Sequence, residues 1–279
     1  MTPIYVLIST IDAGILKVGQ VLRQQAEAVY YVVSWQQTAS PTDEAIQQAV
    51  IELEKRDDLT LTIIQGRGLS RNRNHAISTA ISLLPSPTAD AIMVIADDDE
   101  RICDGAFEAI RELYSRYERL DMALLRGYSI DDNHPIKPYP PQLISYRSRP
   151  RSYYPSSWEM TFRSRIWHCG IRFDERFGLG AEHLCAGEED IFLEDMMRKG
   201  LNAFIAPIDL CQTNPQTTGT QQLNPKVLRS KGATYGYCLN LPLAWLRAAR
   251  EALSLGVRNK VNPFKLFHHL LQGIIYIRQ

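Results

Sequence analysis

The chain has 279 residues, 45% of them hydrophobic, with 31 basic side chains against 31 acidic ones. This is an ordinary globular composition, which excludes a disordered, collagenous or disulfide-stapled protein, and zero net charge excludes a surface given over wholly to nucleic acid. Five cysteines with no C-x-x-C pair suit a reducing compartment, and no stretch approaches the roughly 20 apolar residues of a membrane span.

The start, Met1-Thr2-Pro3-Ile4, lacks the basic region of a signal peptide and leads straight into a strand-like run at 4–9, so the expectation is a cytoplasmic protein. A helical period over 15–28 follows, then a strand at 29–33 and a helix over 42–55. A strand at 59–64 leads to a helix over 71–84, which Ser70 is placed to cap and Pro85-Ser86-Pro87 to break. An apolar run at 91–96 ends in acids, a helix spans 103–117, and 122–125 is another strand. This alternation predicts right-handed βαβ crossovers and an α/β, Rossmann-like, mostly parallel central sheet with helices on both faces. From 127 to 157 the texture turns to Pro, Tyr, Arg and Ser, as in a long ordered loop or edge structure. Beyond it come a strand at 160–163, the loop Phe177-Gly178-Leu179-Gly180 and an acidic helix over 188–199 ended by Gly200. From Asn224 onward there are nine basic residues and the single acid Glu251, with amphipathic helices at 241–255 and 263–277. Such a basic helical extension fits an anionic lipid surface, a solvated face or a subunit contact.

Three clusters carry chemistry. Asp97-Asp98-Asp99-Glu100 starts where a buried strand stops, the edge at which open parallel sheets bind ligands. Four adjacent acids are more than a helix start requires, and a hard divalent cation would relieve their repulsion, with Asp97 and Asp99 as oxygen ligands. Gly68-Leu69-Ser70-Arg71-Asn72-Arg73-Asn74 opens a helix. Arg73, one turn before Ile77 on the apolar stripe, should lean toward the sheet edge and meet an anion or the Asp97–Asp99 carboxylates. Gly187-Glu188-Glu189-Asp190 opens the acidic helix. Acids first and bases last is what any stable helix prefers, and a general base at a helix start fits the same residues.

Together, Asp97-Asp98-Asp99, the upstream Arg73-Asn74 and the downstream Phe173-Asp174-Glu175 and Gly187-Glu188-Glu189-Asp190 resemble the family 2 glycosyltransferases of the GT-A fold, over roughly residues 1–210. The resemblance implies a nucleotide-sugar-binding half at 1–126, an acceptor-binding and catalytic half at 127–223, and the basic helical extension at 224–279. It implies a metal-dependent, inverting transfer of one sugar from a nucleotide-diphosphate sugar to a glycan or lipid-linked acceptor. By it, Asp97 meets the nucleotide's ribose side with Asp98 beside it, and Asp99 with Asp97 holds Mn²⁺ or Mg²⁺ against the diphosphate. Arg73 sits near the nucleotide, as do Ser9, Thr10 and Asp12 after the first strand. Asp190 is the base with Glu189 beside it, and Trp158, Glu159 and Glu188 belong to the acceptor side. The chain departs from the family where an acid often follows the second strand, here Val32-Val33-Ser34-Trp35-Gln36. It departs again where a further His ligand is common, since Cys211-Gln212-Thr213-Asn214 stands there. The Q-x-x-R-W motif of processive synthases is missing. Nucleic acid is not an expected partner, and contact with the inner membrane face would run through the C-terminal helices. The departures leave a non-catalytic nucleotide-sugar-binding or scaffold protein as the alternative.

Overall fold

The structure is a computed structural model that describes residues 1–86, 88–215 and 221–279, so the Pro87 part of the expected breaker and residues 216–220 before the expected boundary at 223 lie outside the described residues. The uninterrupted apolar run Ile4-Tyr5-Val6-Leu7-Ile8 is the pattern of a strand covered on both faces, and all five side chains are buried. It forms β1 (Ile4–Ile11), which runs parallel between β2 (Val29–Gln37) and β4 (Ile92–Asp97), with β3 (Leu59–Gln65) parallel on the outer side of β2. β8 (Met160–Arg163) is antiparallel to both β4 and β6 (Met122–Ser129), and β9 (Ala203–Thr213) runs parallel to β6. The short strands β5 (Arg101–Ile102) and β7 (Ile144–Ser145) pair antiparallel with β9. The result is a nine-stranded, mostly parallel sheet in the order β3-β2-β1-β4-β8-β6-β9-β5, with β7 on β9.

The helices are α1 (Glu44–Glu54), α2 (Leu69–Ser82), α3 (Ala106–Arg116), the single turn α4 (Arg165–His168), α5 (Glu188–Arg198), α6 (Pro225–Cys238), α7 (Leu241–Asn259) and α8 (Pro263–Arg278). The chain divides into two compact units. The first contains residues 1–67, 71–172 and 195–215 and holds the whole sheet; the second contains, among the described residues, 68–70, 173–194 and 221–279. Strands β6, β8 and β9 complete one sheet with β4, so the expected halves at 1–126 and 127–223 share that sheet.

Three elements depart from the expected pattern for physical reasons. The expected helix over 15–28 is a 3₁₀ helix, Asp12–Gln20, that ends well short of residue 28. It starts at Asp12 with φ 47° and carries Gly14 and Gly19, which weaken α-helix. Strand β9 carries no clear strand pattern because Pro207 and Asp209 interrupt its apolar run, and the pairing with β6 shifts register between Leu124 and Arg126, opposite that interruption. Helix α6 carries no clear helical pattern because Gly232 and Gly236 dilute it.

Those glycines belong to a crossing. A Cβ at Gly232 would collide with the Leu270 carbonyl of α8, and one at Gly273 of α8 with the Arg229 carbonyl of α6. Backbone cannot retreat as a flexible side chain can. Gly273→Ala is therefore expected to cost about 1–3 kcal/mol in urea unfolding, whereas Gly19→Ala, with open space around the new methyl, should stay within about 0.5 kcal/mol. Equal midpoints for the two variants would contradict the close crossing.

Candidate active site

Strand register lines up Ser34, Ser9 and Asp97 in one row across β2, β1 and β4, at the carboxyl ends where such sheets bind ligands. The first turns of α2 are tied to that edge at three points, two in the row and one at Thr10 just after it. Asn72 Nδ2 donates to the Thr10 carbonyl at 3.0 Å, Arg73 bonds Asp97 at 3.1 Å, and His75 Nδ1 lies 2.9 Å from Ser34 Oγ. Arg73 leans inward as its place on the apolar stripe predicts. It is almost inaccessible to water, and Ser157 Oγ accepts a second bond from it at 2.7 Å. Neither His75 nor Ser157 stood out in the sequence; His75 sits one turn beyond Arg71, and a hydroxyl before Trp158 carries no pattern of its own. Arg71 turns away, donating to the Gln65 carbonyl at 2.9 Å.

The acids split into two groups. Asp97, Asp98 and Asp99 remain partly accessible at the rim, while Glu100 turns into the core. Glu100 Oε1 accepts the Asp97 backbone N–H at 2.9 Å, and Oε2 has no hydrogen-bond partner among the described residues. Burial pushes the Glu100 pKa well up, with the Asp97 charge adding to it. Asp98 accepts from Thr10 Oγ1 at 2.6 Å, and a side chain at Gly14 would collide with its carboxylate. Desolvation raises the pKa of both Asp98 and Asp99. The neighbouring carboxylates raise them further, against the pull of Thr10 on Asp98 and of the exposed Lys17 on both.

Of the other residues expected near a nucleotide, Thr10 and Asp12 have internal partners, while the buried Ser9 hydroxyl has none among the described residues. Ser9 and Thr10 are buried, and Thr10 is held by Asp98. Asp12 accepts the Thr38 backbone N–H and hydroxyl, each at 2.8 Å, so its carboxylate ties the end of β1 to the segment after β2. At the expected further ligand position, Cys211 is fully buried, burial pushes its thiol pKa well up, and its Sγ lies 3.6 Å from the Trp158 carbonyl. No group of three or more His, Cys, Asp or Glu among the described residues is arranged to hold a metal ion.

Trp158 and Glu159 need correction as acceptor contacts. Trp158 lies in the core with its ring over Gly127, where any Cβ would strike it. Glu159 is fully buried, paired with Lys137 at 2.8 Å, and accepts from the Tyr139 and Tyr153 hydroxyls at 2.7 Å each. Lys137 Nζ in turn stands 4.8 Å from the Tyr153 ring and 5.1 Å from the Trp158 ring. The Tyr-rich texture of 127–157 thus builds a buried polar network that anchors this segment.

In the second unit, Ser70 lies inside α2 instead of before it; its hydroxyl donates to the Phe177 carbonyl at 2.7 Å, while the Leu69 N–H donates to the Leu179 carbonyl at 2.8 Å. Gly178 and Gly187 have φ of 100° and 101°, which leaves the loop to glycine. Glu188 is buried beside Gly178, so it is not offered to an acceptor. Glu189 and Asp190 are half-buried in the first turn of α5, where the helix dipole favours carboxylates.

No protein-family model and no curated protein matches the chain. Solved structures of S. aureus TarS, a GT-A family 2 glycosyltransferase, do. Full TarS aligns at 13% identity and TM-score 0.55, over 91% of this chain and 44% of TarS, so this chain spans less than half of that protein. TarS 1-349 aligns at 12% identity and TM-score 0.57, over 99% of this chain and 89% of that one. TarS 1-349 in complex with UDP-GlcNAc aligns at 14% identity and TM-score 0.57, over 91% and 72%. At these identities the likeness carries the fold, and the fold is GT-A.

The Lys137–Glu159 pair gives a direct check on the corrected role of this segment. Lys137→Met leaves a buried carboxylate without its cation and is expected to cost about 3–5 kcal/mol in urea unfolding, with Glu159→Gln in the same chain recovering part of it. A single variant within about 1 kcal/mol of the parent would show that the pair anchors nothing.

Proposed function

We propose that this GT-A chain is a nucleotide-sugar-dependent glycosyltransferase that moves one sugar with inversion onto a glycan or lipid-linked acceptor. The observation that carries the reading is the crowding of Asp97, Asp98 and Asp99 at the carboxyl edge of β4, with Arg73 held against them. The TarS structures in complex with UDP and with UDP-GlcNAc make a uridine diphosphate sugar the first donor to test.

The rim fits a divalent cation of a particular kind. Its carboxylates are hard oxygen donors whose ionised forms repel, so a cation relieves them. Mg²⁺ typically binds through one or two carboxylates together with substrate phosphates, not in an all-protein cage, so two rim carboxylates suffice for the reading. Asp99 and Asp97 would hold the ion, with Asp98 braced by Thr10 beside them. When bound, Mn²⁺ or Mg²⁺ neutralises charge developing on a departing diphosphate.

The chain's own groups do the remaining work. Arg73 fixes the orientation of Asp97 through one bond and is itself fixed by Ser157 through another. Asp190, with Glu189 beside it, takes the proton from the acceptor hydroxyl as that oxygen attacks the anomeric carbon. The bond to the diphosphate breaks on the opposite face with its electron pair leaving on the phosphate oxygen, so one base gives inversion.

Thermal unfolding with UDP and UDP-GlcNAc tests the binding half. With ligand at about 100 times its Kd the native state should gain roughly 2.7 kcal/mol. The gain should need Mn²⁺ and nucleotide together, and Asp99→Asn should abolish the Mn²⁺-dependent part. A full shift in EDTA would remove the metal from the account. For the chemistry, Asp190→Asn should keep the thermal shift while turnover falls about 10²–10⁴-fold. Binding without turnover by the parent chain, on every acceptor tried, would instead favour the non-catalytic alternative that the missing acid and His ligand suggest.

A further inference from the structure

Helix α7 is inside out for a globular protein. Its inward stripe is Ala244, Ala248, Ala252 and Leu255, all buried against α6 and α8. Its outward stripe, at i, i+4, i+7 and i+11 spacing, is Leu246, Arg250, Leu253 and Val257. Leu246 is 66% exposed, Leu253 58% and Val257 82%, and Phe264 at the start of α8 is 80% exposed. A helix that buries alanines and presents leucines and valine, with a phenylalanine exposed on the next helix, has its larger apolar face still unmatched.

Charge identifies what would match it. Arg250, Arg258, Lys260 and Lys265 are exposed on α7 and at the α7–α8 turn, and none makes an ion pair among the described residues. The one acid of the region, Glu251, is already paired with Lys231 at 2.6 Å. Two copies meeting through this face would set these cations against each other, so a second copy is a poor occupant. Water-soluble polyanions offer charge without hydrocarbon for the leucines. A bilayer carrying anionic headgroups offers both.

We propose that α7 and the first turn of α8 form a docking surface for an anionic lipid membrane, with Leu246, Leu253, Val257 and Phe264 entering the acyl boundary and the basic residues meeting the headgroups. The helix lies in the plane of the interface: it has 19 residues, roughly 28 Å, and no helix among the described residues is long and apolar enough to cross. Arg250, in the middle of the apolar stripe, reaches the headgroups through its aliphatic stem. Docking is independent of the sugar chemistry, and its test uses neither donor nor acceptor.

The experiment is co-sedimentation of the full chain with vesicles of phosphatidylcholine alone and of phosphatidylcholine mixed with phosphatidylglycerol. The chain should partition onto the mixed vesicles, weakly onto the neutral ones, and less as salt rises. Arg250→Gln with Lys260→Gln should weaken partitioning by roughly fivefold per charge removed. Leu246→Ser, Leu253→Ser and Val257→Ser together, at exposed positions, should keep the parent melting temperature and lose binding by about tenfold or more. The glutamine variants, which leave the apolar face intact, serve if the serine variant does not fold. No binding to the mixed vesicles at low salt would overturn the proposal, as would equal binding by these variants. A parent dimer by light scattering that the serine changes make monomeric, without vesicle binding, would assign the face to a second copy.

Discussion

A guanidinium taken out of water at the rim of a parallel sheet must be paired, and the rest of the site is arranged around that requirement. Arg73 is nearly inaccessible, and desolvating such an ion costs several kcal/mol unless charge and hydrogen bonds replace the water. Asp97 supplies the charge and Ser157 a second acceptor. Because Arg73 belongs to α2 and Asp97 ends β4, the same contact sets the helix over the sheet, and Asn72 and His75 complete the setting on β1 and β2. Burial first, and the neighbouring Asp97 carboxylate second, make Asp99 hold its proton more tightly than an ordinary aspartate.

Much of this was legible in the sequence because it rests on local pattern. Six apolar runs mark six strands, and the acids at 97–99 mark the sheet edge because a buried strand cannot continue through them. Arg73 is legible as an inward-leaning side chain from its spacing to Ile77. What was not legible depends on partners distant in the chain. Glu100 continues the acidic run, yet its burial under Asp97 follows only from the folded turn. Trp158 and Glu159 resemble surface sugar contacts until Lys137, Tyr139 and Tyr153, all from the Pro- and Tyr-rich stretch, close around them. Gly232 obscures α6 when read singly and, read with Gly273 of α8, explains a crossing.

The second unit shows the same economy of small residues used to opposite ends. Glycines let α6 and α8 approach until backbone meets backbone, and alanines let α7 lie close on them. Close packing of small side chains turns the larger apolar ones of α7 outward, where basic residues flank them. Four of the nine basic residues from Asn224 onward, Arg250, Arg258, Lys260 and Lys265, therefore share a cationic and apolar face on one helix and the turn that follows it. The GT-A fold and this face are separable features of one chain: the first concerns what lies at the carboxyl edge of the sheet, the second what the chain rests on.

The central claim is electrostatic, that three crowded aspartates at the end of β4 hold a divalent ion together with a diphosphate. Electron paramagnetic resonance of Mn²⁺ reads this directly, since the six-line signal of the free ion collapses on binding. Titrating UDP into protein and Mn²⁺ should quench the free-ion signal beyond what UDP alone achieves, and Asp99→Asn should return it to the level of UDP alone. An unchanged free-ion signal with the parent chain, or equal quenching by Asp99→Asn, would contradict the account.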